Sequence, residues 1–211
     1  MALPIQTIVG GNAAATTGTF PTNIRVGANG ELSTGSLHGD YYESTVRNKV
    51  FAGSTLTAVT TSAAFATTCT GCILSNPIGS TVNLAVRKFR YGGTVAQAAA
   101  LILGLQTGYS SSVNTVHTTP LVALSNFIGQ PAGTGLLDSA ATLPVTPTRV
   151  ILLDTLLTGA ITTQTLGGNS FDFQDGIIVP PGGFIATYTS AASTATSLVF
   201  GFTWEEVSIT L

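Results

Sequence analysis

Thirty-five of the 211 residues are threonine and 17 more are serine, so about a quarter of the chain carries a small hydroxyl side chain. Threonine is branched at Cβ, which stiffens χ1 and crowds the turns of a helix, whereas a pleated, half-buried strand accommodates it. The long charged residues that favour helices are scarce, with only seven Lys and Arg and nine Asp and Glu. Valine, isoleucine and the aromatics add to the strand preference. The 24 glycines, with Asn and Pro among them, divide the chain into short pieces joined by turns. The expected class is all-β.

Only 8% of residues are charged and 44% are hydrophobic, with a formal net charge of −2. Such a chain lacks the basic footprint of a nucleic-acid binder. It also lacks the polar, highly charged tracts of a wholly disordered protein. Mean hydropathy is +0.44, yet the longest apolar run, Ala98 to Leu105, falls far short of the roughly 20 residues a spanning helix needs. Met1 to Phe20 contains no Lys or Arg and no compact apolar block, which argues against a Sec signal peptide. The regular aromatic girdles of a membrane barrel are not evident. No membrane partner is expected.

Residues 1–45 read differently from the remainder. Gly10 to Gly18 is small and aperiodic, and Ala28-Asn29-Gly30 and Leu37-His38-Gly39-Asp40 are turn-like. Such a segment is either disordered or an extended arm that orders on another subunit, and the arm is the reading taken. Residues 46–211 form the expected sandwich domain. Gly71 to Asn76 reads as a strand closed by Asn76-Pro77-Ile78-Gly79. Val82, Leu84 and Val86 alternate with polar neighbours before the phase slips at Lys88, the mark of a bulge. Leu101-Ile102-Leu103 suits either a helix or a buried strand, and its all-β surroundings favour the strand. Arg149 to Leu157 is nearly continuous apolar sequence, expected of a central strand covered on both faces. Pro180-Pro181-Gly182-Gly183 reads as a type II turn between strands. Phe200, Phe202 and Trp204 share one parity. After Glu205-Glu206 the phase is expected to break, with Val207, Ile209 and Leu211 on the other. About eight strands, with long connections at 106–123 and 129–147, suggest a jelly-roll β-sandwich.

Candidate chemistry is sparse. Cys69-Thr70-Gly71-Cys72 has the spacing of half a zinc site, but no second pair exists and only His38 and His117 remain. A redox pair is the alternative, and two structural cysteines the plainer reading. Asp172 and Asp175, with Asp154 elsewhere, are too few for a calcium site and fit a solvated strand end. Glu205 and Glu206 are strand neighbours that point to opposite faces and cannot flank one bond. His117 lies in a Ser/Thr-rich stretch with no nucleophile signature beside it. Arg87, Lys88 and Arg90 form the single basic cluster, either a solvated strand end or a contact with an acidic neighbouring subunit. No catalytic, cofactor-binding or metal-ligating residue is assigned, and no cofactor and no enzymatic activity are expected.

The missing charge is more informative. Val50 through Val86 and Tyr91 through Leu137 contain no Asp, Glu, Lys or Arg. Subunit contacts are depleted of charge at their centres, so stretches of this kind suit an obligate assembly.

Three stretches carry a resemblance: Gly176-Ile177-Ile178-Val179-Pro180-Pro181-Gly182-Gly183-Phe184 continuing to Ala192, Phe202-Thr203-Trp204-Glu205-Glu206-Val207, and Ile73-Leu74-Ser75-Asn76-Pro77 with Val82-Asn83-Leu84. They resemble small virion proteins of tailed bacteriophages, among them jelly-roll head-decoration (cement) and other minor structural proteins. The likeness covers roughly residues 50 to 211 and rests on turn and core patterns. It implies a bacteriophage head cement protein, a homotrimer that clamps major capsid subunits on the virion surface after synthesis in the host cytoplasm. The arm would reach an adjacent capsomer. It supplies no active-site residues. A tail or fibre component that binds a receptor glycan is the alternative. A secreted carbohydrate-binding sandwich is less well matched, for want of an export signal and stacking aromatics.

Overall fold

The computed structural model describes residues 41–63, 65–94, 97, 100–156, 168–193 and 197–209, all within one compact unit, Tyr41–Leu211. The expected arm falls mostly on residues 1–40, outside the described residues. At its end the chain is not extended, because Tyr42–Val46 form a short helix, α1. Strands β1 (Val50–Ser54), β2 (Thr68–Ser75), β3 (Val82–Gly93), β4 (Leu101–Tyr109), β5 (Val116–Leu121), β6 (Leu124–Ser125), β7 (Leu136–Thr142), β8 (Arg149–Leu156), β9 (Gly168–Val179), β10 (Gly183–Thr189) and β11 (Leu198–Ser208) follow. They form two sheets, ordered β6-β1-β11-β3-β9 and β5-β7-β2-β10-β4-β8, and every strand pairing is antiparallel. The protein is an all-β sandwich. No helix among the described residues is long and apolar enough to cross a membrane.

Among the described residues eleven strands stand where about eight were expected. Of the additional three, β5 and β7 fall within the two long connections and β6 lies between them. They escape the sequence pattern because β5 contains Pro120 and buries no residue, β6 spans two residues, and β7 is rich in Ala and Ser. The crossing from β5 to β6 carries the chain from the edge of one sheet to the edge of the other and so closes one side of the sandwich.

Between the sheets lie Phe51, Cys72, Leu74, Leu84, Val86, Phe89, Leu103, Leu105, Ile185, Phe200, Phe202 and Trp204. Phe89 is central, with its ring centroid 5.0 Å from that of Phe202 and 5.9 Å from that of Phe200. A second, smaller cluster of Cys69, Ile73, Ala141, Leu143, Phe184 and Ala186 packs on the other face of the six-stranded sheet. That face is therefore not simply solvated.

The expected phase slip in β3 is present. Pairing with β11 passes from Lys88–Thr203 to Val86–Trp204, and pairing with β9 from Lys88–Asp172 to Val86–Ile177, so Arg87 is the extra residue against β11 and lies within the irregularity against β9. The slip expected in β11 is absent. Alternate residues from Leu198 to Glu206 are buried without interruption. Val207 and Ile209 are exposed and Leu211 lies outside the described residues. One bulge on β3 absorbs the mismatch, so β11 needs none of its own.

The segment Arg149–Leu156 also departs from expectation. It is the edge strand of its sheet and none of its side chains is buried. An apolar run suggests that both faces avoid water; here Ile151, Leu153 and Leu156 pack partly buried against the core, while Leu152 is 66% exposed.

The hydroxyl residues tie loops to sheets. Buried Thr61 Oγ1 lies 2.6 Å from Thr189 Oγ1 and accepts the Ser193 N–H at 3.1 Å. Thr187 Oγ1 accepts the Cys72 N–H at 3.1 Å, and Thr55 Oγ1 accepts the Phe200 N–H at 3.0 Å. Threonine thus supplies both the pleat-compatible shape and the polar partner that a bulged or ending strand would otherwise lack. At Gly71, φ is +135° and an added Cβ would meet Thr187 Oγ1 at 1.9 Å, so only glycine fits this bulge.

Two corners share one end of the sandwich. Gly182 has φ +82° and the Gly183 N–H donates to Pro180 O at 2.8 Å, the geometry of the expected type II turn. The Gly182 N–H donates to Asn76 O at 2.8 Å, while the Asn76 amide donates to Val82 O at 2.8 Å and Val179 O at 3.1 Å. Asn76 thereby pins the β2–β3 corner to the β9–β10 corner.

Candidate interaction surface

The residues singled out for chemistry are dispersed by the fold. Cys69 and Cys72 are free and buried. They belong to the two different clusters, on opposite faces of the sheet, and so form no joint site. Burial pushes both thiols up, and nearby Asp138 raises Cys72 further. A thiol held neutral is a poor nucleophile and a poor metal ligand. Among the described residues no group of three or more His, Cys, Asp or Glu is placed to hold a metal ion. His38 and the side chain of Asp175 lie outside the described residues.

The basic cluster is paired within the chain. Arg87, the bulged residue, meets Glu205 on the adjacent strand β11, and Lys88 Nζ lies 3.3 Å from Asp172 Oδ2. Tyr41 stacks beneath both cations, with Arg87 Cζ 4.9 Å and Lys88 Nζ 5.5 Å from the ring centroid, and its hydroxyl donates to Asp172 at 3.4 Å. The Gln174 backbone N–H, with Lys88 and Tyr41, holds the Asp172 carboxyl below its usual range. These charges fasten the start of the domain to the outside of β3 and β9, and Arg90 remains exposed. Asp154 Oδ2 accepts the Tyr91 hydroxyl at 2.5 Å, and burial together with that carboxylate pushes the phenol up to about 12.

Glu205 and Glu206 do face opposite sides. Glu206 is buried and its Oε1 accepts the Thr134 N–H at 2.5 Å and the Gly135 N–H at 2.8 Å. Sequence reading overlooked Asp138. It is fully buried on β7, with Oδ2 2.5 Å from His117 Nδ1 on β5 and Oδ1 without a hydrogen-bond partner. Burial raises its carboxyl above the ordinary value, and His117 opposes that shift. The short β5–β7 ladder brings this pair together across 21 residues. A local motif search has no signal for it.

The surface is distinguished by what it exposes. Within the uncharged segment Tyr91–Leu137, which contains β4, β5 and β6, Val113, Val116, Val122, Leu124, Phe127 and Ile128 are exposed. Ile128 is 92% exposed. Isolated exposed apolar residues are ordinary; here six fall within residues 113–128 of one uncharged segment. A separate cleft of about 310 Å³ opens where β4 and β8 meet β9 and the 180–183 turn, with Tyr109, Thr107, Thr148 and Arg149 in its wall.

No family model, curated protein or solved structure matches the chain.

Proposed function

We propose that the chain is a virion structural protein of the tailed-phage type, a head cement or decoration protein that binds major capsid subunits and copies of itself. Its work is mechanical: many modest contacts, repeated over a shell, add through avidity. The order β1-β11-β3-β9 opposite β2-β10-β4-β8 supports reading β1–β4 and β8–β11 as a jelly roll, with β5, β6 and β7 inserted between its fourth and fifth strands. The observation that carries the proposal is the uncharged, apolar exterior formed by residues 109–136, which suits burial against another subunit. Incubating the purified protein with phage heads that lack it, followed by co-sedimentation and heat challenge, tests the reading. Stoichiometric binding that raises heat resistance is expected.

A tail or fibre role with glycan recognition is the second reading. Tyr109 is half-exposed at the 310 Å³ cleft beside two threonine hydroxyls and Arg149, a stacking face with polar partners. Binding to a glycan array, without binding to heads, would select it.

A further inference from the structure

We infer that the free edge of β8 pairs with β8 of a second copy, antiparallel about a two-fold axis. The inference names a surface for the self-assembly proposed above and rests on that reading. β8 pairs with β4 along one edge, and among the described residues no strand pairs with the other. Exposed edges normally carry lysine, proline, bulges or inward-pointing charge that hinder further pairing. This edge has a bulge at Leu153 and Asp154 beyond it, but Val150, Ile151 and Leu152 carry no charge or proline, and Leu152 is 66% exposed while Ile151 and Leu153 pack partly buried against the core.

The register follows from the bulge and the charges. Against β4, Leu103 faces Asp154 and Gly104 faces Leu152, so Leu153 is the extra residue. Arg149, Ile151 and Asp154 therefore share one face of the sheet and Val150 and Leu152 the other. Place Ile151 opposite Ile151 of the second copy, and Val150 falls opposite its Leu152. With each Leu153 skipped, Arg149 falls opposite its Asp154. Arg149 and Asp154 are the only charged residues of the strand, and symmetry makes the cation–anion pair twice. Centring the axis on Val150 or Leu152 instead sets Arg149 against an apolar residue. Arg149 is exposed and forms no ion pair among the described residues. Asp154 is held in position by the Tyr91 hydroxyl at 2.5 Å. The pairing satisfies the outward backbone donors and acceptors of β8, covers Leu152 and makes the six-stranded sheets of two copies continuous. Being two-fold, it yields dimers, and the expected trimer would need a different contact.

Sedimentation equilibrium of the full chain and of Arg149→Asp, Leu152→Lys and Leu56→Lys tests this. The dimer dissociation constant is expected to rise about tenfold or more in Arg149→Asp and Leu152→Lys and to stay unchanged in Leu56→Lys. Circular dichroism should be the same for all four, since none of the altered side chains is buried. Ile151→Cys should form a disulfide-linked dimer on mild oxidation, because the native cysteines are buried. Self-association that none of the β8 variants weakens overturns the pairing and leaves the assembly reading standing. A wild-type chain that stays monomeric overturns the pairing too, and head binding then judges the proposed function separately.

Discussion

Glu206 holds the backbone of Gly135, accepting its N–H at 2.8 Å from the core side of the final strand. The same oxygen takes the Thr134 N–H at 2.5 Å, so one carboxylate secures the end of the long uncharged segment against the sandwich. Glu206→Ala leaves two donors without their acceptor. The expected loss is about 2–4 kcal/mol of stability, read from urea unfolding, with Glu206→Gln losing less because an amide oxygen still accepts.

Asn76 joins two corners through its side-chain amide, and Val82 O and Val179 O have it as donor. Asn76→Ala should destabilise by about 2–3 kcal/mol. Asn76→Asp should cost at least as much, because a carboxylate would face two carbonyl oxygens. Equilibrium unfolding of both variants checks this, and loss smaller than that of a surface substitution would contradict it.

The Asp138 carboxyl is raised by burial, which sets the sign of its pH dependence. The folded state holds this proton more tightly than the unfolded state. Its contribution to stability is therefore greatest below the ordinary aspartate range and falls as pH rises through that range towards the raised value. Thermal unfolding of wild type and Asp138→Asn across roughly pH 3 to 7 should show the variant gaining relative to wild type as pH increases. A constant difference would contradict the assignment.

Much of the fold was legible because period-two alternation and turn chemistry are local. The β3 bulge and the type II turn at Gly182 follow from residues within a few positions of one another, whereas the strand at Leu101 to Leu103 follows from its all-β surroundings. What failed needed distant information. Arg149 to Leu156 looks central because nothing local in the sequence distinguishes a strand paired along both edges from one at the edge of its sheet. Glu206 looked like a phase break because a carboxylate on the core parity is improbable until the Thr134 and Gly135 amides are seen against it. Asp138 gave no signal, since its partner His117 is set opposite by an irregular ladder through Pro120. The basic cluster at Arg87 and Lys88 was visible, but its neutralisation by Glu205 and Asp172 depends on strand order.

Cys69 and Cys72 are buried in separate clusters. Both thiols should resist a maleimide reagent in the native protein and react fully in denaturant. Their modification rate should track unfolding rather than thiol ionisation. Rapid native labelling of either would contradict the packing described.

Quantitative binding of the protein to purified heads that lack it, compared between wild type and Phe127→Asp/Ile128→Asp, tests the central proposal most directly. The account predicts saturable, stoichiometric binding by wild type, weakened about tenfold or more when charge is placed on the apolar exterior. Absence of wild-type binding, or equal binding by the charged variant, would contradict it.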